Sequence, residues 1–138
     1  MIILDTNIVS ELMKVSPEQQ VVSWMDEQDA MTLFITSITV AEISYGLSAL
    51  VVSKRRNYLE DAFEHLLVEG FMHRILDFDQ SAAHMYGHLM AHRKNLGRPF
   101  SIPDGQIAAI TRVKQMSLAT RNTCDFLDCD LTLINPFE

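Results

Sequence analysis

Apolar positions along this chain alternate between two rhythms. Short runs rich in aliphatic residues fall at Met1–Leu4, Met31–Thr36, Met72–Leu76, Ser117–Thr120 and Leu131–Ile134. Each has the length of a strand buried on both faces, and the stretches between them space their apolar residues for one side of a helix. Those helical stretches are Asn7–Lys14, Pro17–Gln28, Thr39–Leu50, Ser53–Glu69, Gln80–Asn95 and Ile102–Gln115. The punctuation agrees. Pro17 suits a first helical turn, Ser53 and Asp79 suit N-caps, and Gly70 and Gly97 suit helix ends. Strand alternating with helix predicts an α/β fold, with a central, mostly parallel sheet of five strands flanked by helices. No Gly/Ser-rich linker, internal repeat or low-complexity segment interrupts it, so residues 1–138 are expected to form one domain.

Four acidic residues give this pattern a chemistry. A parallel sheet gathers the carboxyl ends of its strands along one edge, and ligands bind in the crevice there. Asp5 ends the first strand, Glu42 lies one turn into the helix after Leu33–Thr36, Asp104 opens a helix after Pro103, and Asp125 follows Ser117–Thr120. Carboxylates gathered at one edge repel one another unless a cation sits among them, and hard oxygen ligands suit Mg²⁺ or Mn²⁺. Each acid also has a plainer explanation. Asp5 and Asp104 are placed to cap helices, Glu42 to be solvated, and Asp125 to sit in a polar loop. Glu42 is the least ordinary, since its helix reads Thr39-Val40-Ala41-Glu42-Ile43.

Composition narrows the class. Hydrophobic residues make up 48% and charged residues 21%, the balance of a folded globular protein. No apolar run approaches the roughly 18 residues that span a bilayer. Asp5 follows too few apolar residues for a signal-peptide core, so a cytoplasmic, membrane-free protein is expected. The net charge of −7, from 18 acidic and 11 basic residues, argues against coating nucleic acid through a broad basic face. It leaves room for a nuclease whose clustered acids are offset by a metal, and it would attract a basic partner segment. Cys124 and Cys129 lack further zinc ligands nearby and read as structural thiols. His84, His88 and His92 share one helical face, with no cysteine or carboxylate to complete a metal site, and read as a solvated or packing face. The basic run Arg93-Lys94 with Arg98 leads toward Asp104. It is either a helix end favoured by the dipole or a set of RNA phosphate contacts. Tyr45, Leu47, Leu50, Val51, Val52 and Tyr58 give Thr39–Glu69 more apolar surface than two peripheral helices need, pointing to sheet packing, a homodimer or a partner groove.

Several blocks, in order along the whole chain, carry a family resemblance. They are Ile3-Leu4-Asp5-Thr6-Asn7 with Ser10-Glu11, then Thr36-Ser37-Ile38-Thr39-Val40-Ala41-Glu42 with Tyr45-Gly46. Gly97-Arg98-Pro99 leads into Asp104-Gly105-Gln106-Ile107-Ala108-Ala109, followed by Ala119-Thr120-Arg121-Asn122 with Asp125-Phe126, and finally Asn135-Pro136-Phe137. In these the chain resembles the PIN domain, and within it the VapC/FitB-like toxins of bacterial toxin–antitoxin modules. The resemblance implies a single-domain PIN-like fold. It implies an acidic metal site of Asp5, Glu42, Asp104 and Asp125, with Asp128 close by the fourth, and with Thr6 and Asn122 as supporting polar residues. It further implies a Mg²⁺- or Mn²⁺-dependent endoribonuclease toxin, neutralised by a VapB-like antitoxin. The expected chemistry is metal-assisted hydrolysis of an RNA phosphodiester without a side-chain nucleophile. No Gly-x-x-x-x-Gly-Lys phosphate loop is present. Two other readings stand beside this one. A metal-dependent phosphatase would use Asp5, although Thr6 and Asn7 follow where such sites carry a second aspartate. A non-catalytic binding module would use the same fold without cutting.

Overall fold

The computed structural model describes residues 1–138. Its central strand is β1 (Ile2–Leu4), which pairs in parallel with β2 (Leu33–Thr36) on one side and β4 (Ser117–Ala119) on the other. A two-residue β3 (Ile75–Leu76) lies outside β2, and β5 (Thr132–Ile134) lies outside β4. The sheet order is therefore β3-β2-β1-β4-β5, parallel throughout. The chain works outward from β1 through β2 and β3, then returns to the other side of β1. That reversal between β1 and β4 opens a crevice at their carboxyl ends.

Register assigns side chains to the two faces. Ile3 pairs with Leu118 and Leu4 with Ala119, and alternate residues of a strand point oppositely. Leu4 and Ala119 join the core formed by α1 (Thr6–Leu12), α2 (Gln19–Asp26), α3 (Ser37–Ser48) and α4 (Lys54–His65). Ile3 and Leu118 join the core on the opposite face, under α5 (Gln80–Asn95) and α6 (Ile102–Lys114). Gly105 lets α6 approach α5 closely, since a β-carbon there would meet Met90 Sδ at 2.6 Å and the Tyr86 ring at 3.1 Å. Two buried faces explain why the strands read as near-continuous apolar runs.

Helix starts follow local capping. Asp5 accepts the Thr6 N–H at the head of α1, Thr36 accepts from Thr39 at the head of α3, and Ser53 and Asp79 cap α4 and α5 as expected. Several boundaries differ from those expected from sequence: Met31 and Thr32 belong to a 3₁₀ turn so that β2 begins at Leu33, α3 begins at Ser37 rather than Thr39, and three further shifts have a visible cause. Pro17 stays outside α2, because the Glu18 N–H is drawn to the Glu11 carboxylate at 3.1 Å and the helix begins at Gln19. The helix after Ser53 ends at His65 and widens into a π-helical turn over Leu66–Gly70, closed by Phe71 N–H donating to Leu66 O at 3.1 Å. Most of Met72–Leu76 is not strand. Buried Phe71 pins a turn in which Arg74 N–H reaches Phe71 O at 2.9 Å and His73 takes φ of 63°. The apolar surplus of Thr39–Glu69 divides: Leu47 is buried, whereas Tyr45, Val51, Val52 and Tyr58 are exposed. No helix is long and apolar enough to cross a membrane.

Candidate active site

The crevice at the switch point is a cleft of about 400 Å³ lined by Asp5, Thr6, Asn7, Ser10, Glu11, Lys14, Glu42, Asp104, Arg121 and Asn122, none of them hydrophobic. Asp5 stands at its floor, 4% exposed. One carboxylate oxygen accepts the Thr6 N–H at 2.8 Å. The other accepts the Thr120 hydroxyl at 2.7 Å and the Asn7 amide at 3.3 Å. Burial pushes its pKa up from 3.8 to about 6. The Thr120 and Thr6 hydrogen bonds oppose that rise, and the charges of Asp104 and Glu42 add to it.

Glu42 reaches the cleft from α3 and accepts the Thr6 hydroxyl at 2.7 Å. Thr6 Oγ1 also lies 3.0 Å from Thr39 Oγ1, which lies 3.5 Å from Thr36 Oγ1. A hydroxyl has one proton to donate, so Thr6 spends its own on Glu42 and accepts from Thr39. The buried end of β2 thereby orients the Glu42 carboxylate. Asp104 enters from the first turn of α6, where its N–H donates to Ser101 Oγ at 3.3 Å. Burial raises its pKa. The Ser101 side chain opposes this most strongly, Asp125 and Glu42 add to it, and Arg93 opposes it weakly.

Of the acids proposed from sequence, Asp5, Glu42 and Asp104 thus share one cleft, with Thr6 and Asn122 beside them. Asp125 does not line it. It is exposed, in a 3₁₀ turn over Thr123–Phe126, close enough to raise the pKa of Asp104. No group of three or more His, Cys, Asp or Glu side chains is arranged to hold a metal ion. Hard oxygens and mutually repelling carboxylates nonetheless match what Mg²⁺ accepts, since it is commonly held by one or two carboxylates with water and substrate phosphate completing the shell. His84, His88 and His92 are all exposed, as a solvated face requires, and Cys124 and Cys129 are free thiols.

The basic run needs correction. Arg93, expected as a possible RNA contact, is 4% exposed rather than a surface cation. It donates to Arg98 O at 2.7 Å, Asp125 O at 2.9 Å and Leu127 O at 2.8 Å, and stacks over the Phe100 ring at 4.1 Å. Arg98 is paired with Asp128, which takes that acid away from the cleft, and only Lys94 remains as a free exposed cation. Glu11, Thr120 and Arg121 stand in the blocks that carry the family resemblance but receive no role from sequence, and Lys14 is not singled out there. Glu11 had a visible signal: it falls three residues after Ile8 on the buried stripe of α1, an odd place for an acid.

A parallel α/β sheet carrying one buried and two half-buried carboxylates at its switch point defines a class of domain built to hold charged ligands at a strand edge. The PIN domain model matches residues 2–127 of this chain. The chain is 40% identical over 138 residues to VapC ribonuclease Y4jK of Sinorhizobium fredii, covering 100% of this chain and 99% of that one. It is 34% identical over 138 residues to Toxin FitB of Neisseria gonorrhoeae, with the same coverage. The crystal structure of FitAcB from Neisseria gonorrhoeae superposes with a TM-score of 0.92 at 34% identity, over 100% of this chain and 99% of that one. The chain belongs to the PIN domain family, in the branch that includes VapC and FitB.

Proposed function

We propose that this chain, acting as a single domain over residues 1–138, is the toxin of a toxin–antitoxin pair and a Mg²⁺- or Mn²⁺-dependent endoribonuclease. The observation that carries this reading is the placement of Asp5, Glu42 and Asp104 in one wholly polar cleft, with the Asp5 and Asp104 carboxyls raised in pKa by burial and by their neighbours. Groups destabilised by burial and mutual repulsion gain most from a cation. A divalent ion there would supply Lewis acidity toward a phosphoryl oxygen and a more acidic bound water. The chain's own contribution is positional. Thr120 and Thr6 fix the two oxygens of Asp5, the Thr36–Thr39–Thr6 hydroxyls fix Glu42, and α6 presents Asp104 from its positive end, which favours an anion. Asp125 serves from the rim, and Asn122 holds the end of the cleft through its N–H bond to Thr120 Oγ1 at 3.1 Å.

The names of the two relatives, a ribonuclease and a toxin, support the RNA substrate and the need for a neutralising partner. A VapB-like antitoxin segment has a suitable seat in the groove between α1, α3 and α4. Met13, Ile43, Leu47 and Leu59 line it, and it adjoins the cleft at Thr6 and Glu42. Exposed Tyr45, Val51, Val52 and Tyr58 support a homodimer. The deciding experiment incubates the purified protein, free of any partner, with total RNA in Mg²⁺, Mn²⁺ or EDTA and maps the ends produced. Metal-dependent cuts that vanish in Asp104→Asn support the reading. RNA left intact with either metal refutes it.

A further inference from the structure

Lys14 and Arg121 line the acidic cleft, yet the carboxylate site gives neither of them a task. Arg121 is exposed, and no hydrogen bond or ion pair occupies its guanidinium, which rests over the Phe137 ring at 4.5 Å. Its backbone is held on both sides. The N–H donates to Asn7 Oδ1 at 3.2 Å, and the carbonyl accepts Asn135 Nδ2 at 3.4 Å. Asn135 Oδ1 in turn accepts the Phe137 N–H at 3.0 Å, and Pro136 between them is buried. The Asn135-Pro136-Phe137 turn thus props one arginine at the cleft. Lys14 is fixed differently. Its ammonium lies 2.9 Å from Glu11 Oε1, and Glu11 is 4% exposed, with its other oxygen taken by the Glu18 N–H. A buried carboxylate therefore anchors one cation.

We propose that Lys14 and Arg121 form an RNA-backbone subsite that grips a phosphate next to the one presented to Asp5, Glu42 and Asp104. The inference rests on the nuclease reading and names where the substrate is held. Lys14 has donors to spare, and all five guanidinium donors of Arg121 are unspent. A planar guanidinium meets phosphate oxygens two at a time, and the ring beneath it restricts its motion before RNA arrives. In a body of net charge −7, cations at the cleft itself are what a polyanion needs in order to approach the acids.

The test compares Arg121→Gln, Lys14→Gln and Phe137→Leu with wild type, using Lys114→Gln at the far end of α6 as a charge-matched control. Cleavage of a labelled single-stranded RNA is followed in Mn²⁺, and binding of the same RNA in EDTA by fluorescence anisotropy across a salt series. Arg121→Gln and Lys14→Gln should each raise KM about tenfold, the loss of one charge-assisted contact, with kcat within about twofold. The slope of log affinity against log salt should fall by about 0.7 for each. Phe137→Leu should give a smaller rise of about two- to fivefold, and Lys114→Gln none. Unchanged KM and salt slope in the first two variants would overturn the subsite, as would a loss confined to kcat. Wild type that fails to cut would defeat the nuclease reading alone, because the anisotropy series still decides whether these two residues hold RNA.

Discussion

Replacing Asp5 by asparagine should make the metal-free protein more stable at neutral pH while abolishing its cutting. The Asp5 carboxyl is buried, and its pKa rises from 3.8 to about 6 on folding. At about 1.4 kcal/mol per pKa unit, holding that group ionised inside the folded protein at pH 7 costs on the order of 3 kcal/mol. The sign follows from proton counts. Between pH 3.8 and 6 the folded state binds more protons than the unfolded state, so this contribution to stability is full below pH 3.8 and is lost as pH rises through 6. Asparagine keeps an oxygen for the Thr6 N–H, but it turns an amide toward Thr120 and Asn7, a mismatch worth about 1 kcal/mol. The net gain at pH 7.5 in EDTA is therefore about 2 kcal/mol, which raises Tm by about 8 °C for a domain of this size. Near pH 4 the sign reverses to a loss of roughly 0.5 kcal/mol, because the wild-type acid is then protonated in the native state and only partly ionised in the unfolded one. Thermal unfolding in EDTA at the two pH values measures both. Added Mn²⁺ should stabilise wild type by binding the native state and should have little effect on the variant. A variant that melts lower than wild type by the same amount at both pH values would refute the reasoning and leave Asp5 as a helix cap.

Glu42→Gln and Asp104→Asn should each abolish RNA cleavage with the fold retained in circular dichroism, and Asp125→Asn should retain more activity than Asp104→Asn because its carboxylate stands at the rim; equal losses in kcat would place Asp125 among the acids of the cleft. Arg93→Met should destabilise by about 2–4 kcal/mol in urea titration, since it strands the carbonyls of Arg98, Asp125 and Leu127; a change under 1 kcal/mol would show that Arg93 is not the strut described. Light scattering at micromolar concentration should report a dimer, and Tyr45→Glu with Val52→Glu should convert it to monomer; wild type that is already monomeric ends that proposal.

Much of the fold lies in local sequence. Strand and helix alternate because two-faced burial demands short apolar runs and one-faced burial demands helical spacing, and caps such as Asp5, Ser53 and Asp79 mark their starts without reference to distant residues. The positions of Asp5, Glu42 and Asp104 were legible for the same reason: each sits at a junction that a parallel sheet carries to one edge. What the sequence left open depends on side-chain direction and long-range packing. Residues 72–74 look like strand until Phe71 is buried and forces a turn. Arg93 looks like a surface cation until α5 lays it against the loop after β4, where the carbonyls of Asp125 and Leu127 need donors, with Arg98 O just past α5 taking a third bond. Asp125 has a place in the motif order but is held at the rim by a 3₁₀ turn. Thr120 and Arg121 acquire their places only when β4 pairs with β1, setting the Thr120 hydroxyl on Asp5 across 115 positions of chain. The sequence by itself determined which elements form and which acids reach the sheet edge, because those follow from short-range periodicity and capping. The tertiary structure decided which polar groups are buried, paired or free, because that depends on neighbours brought together only by the closed sheet.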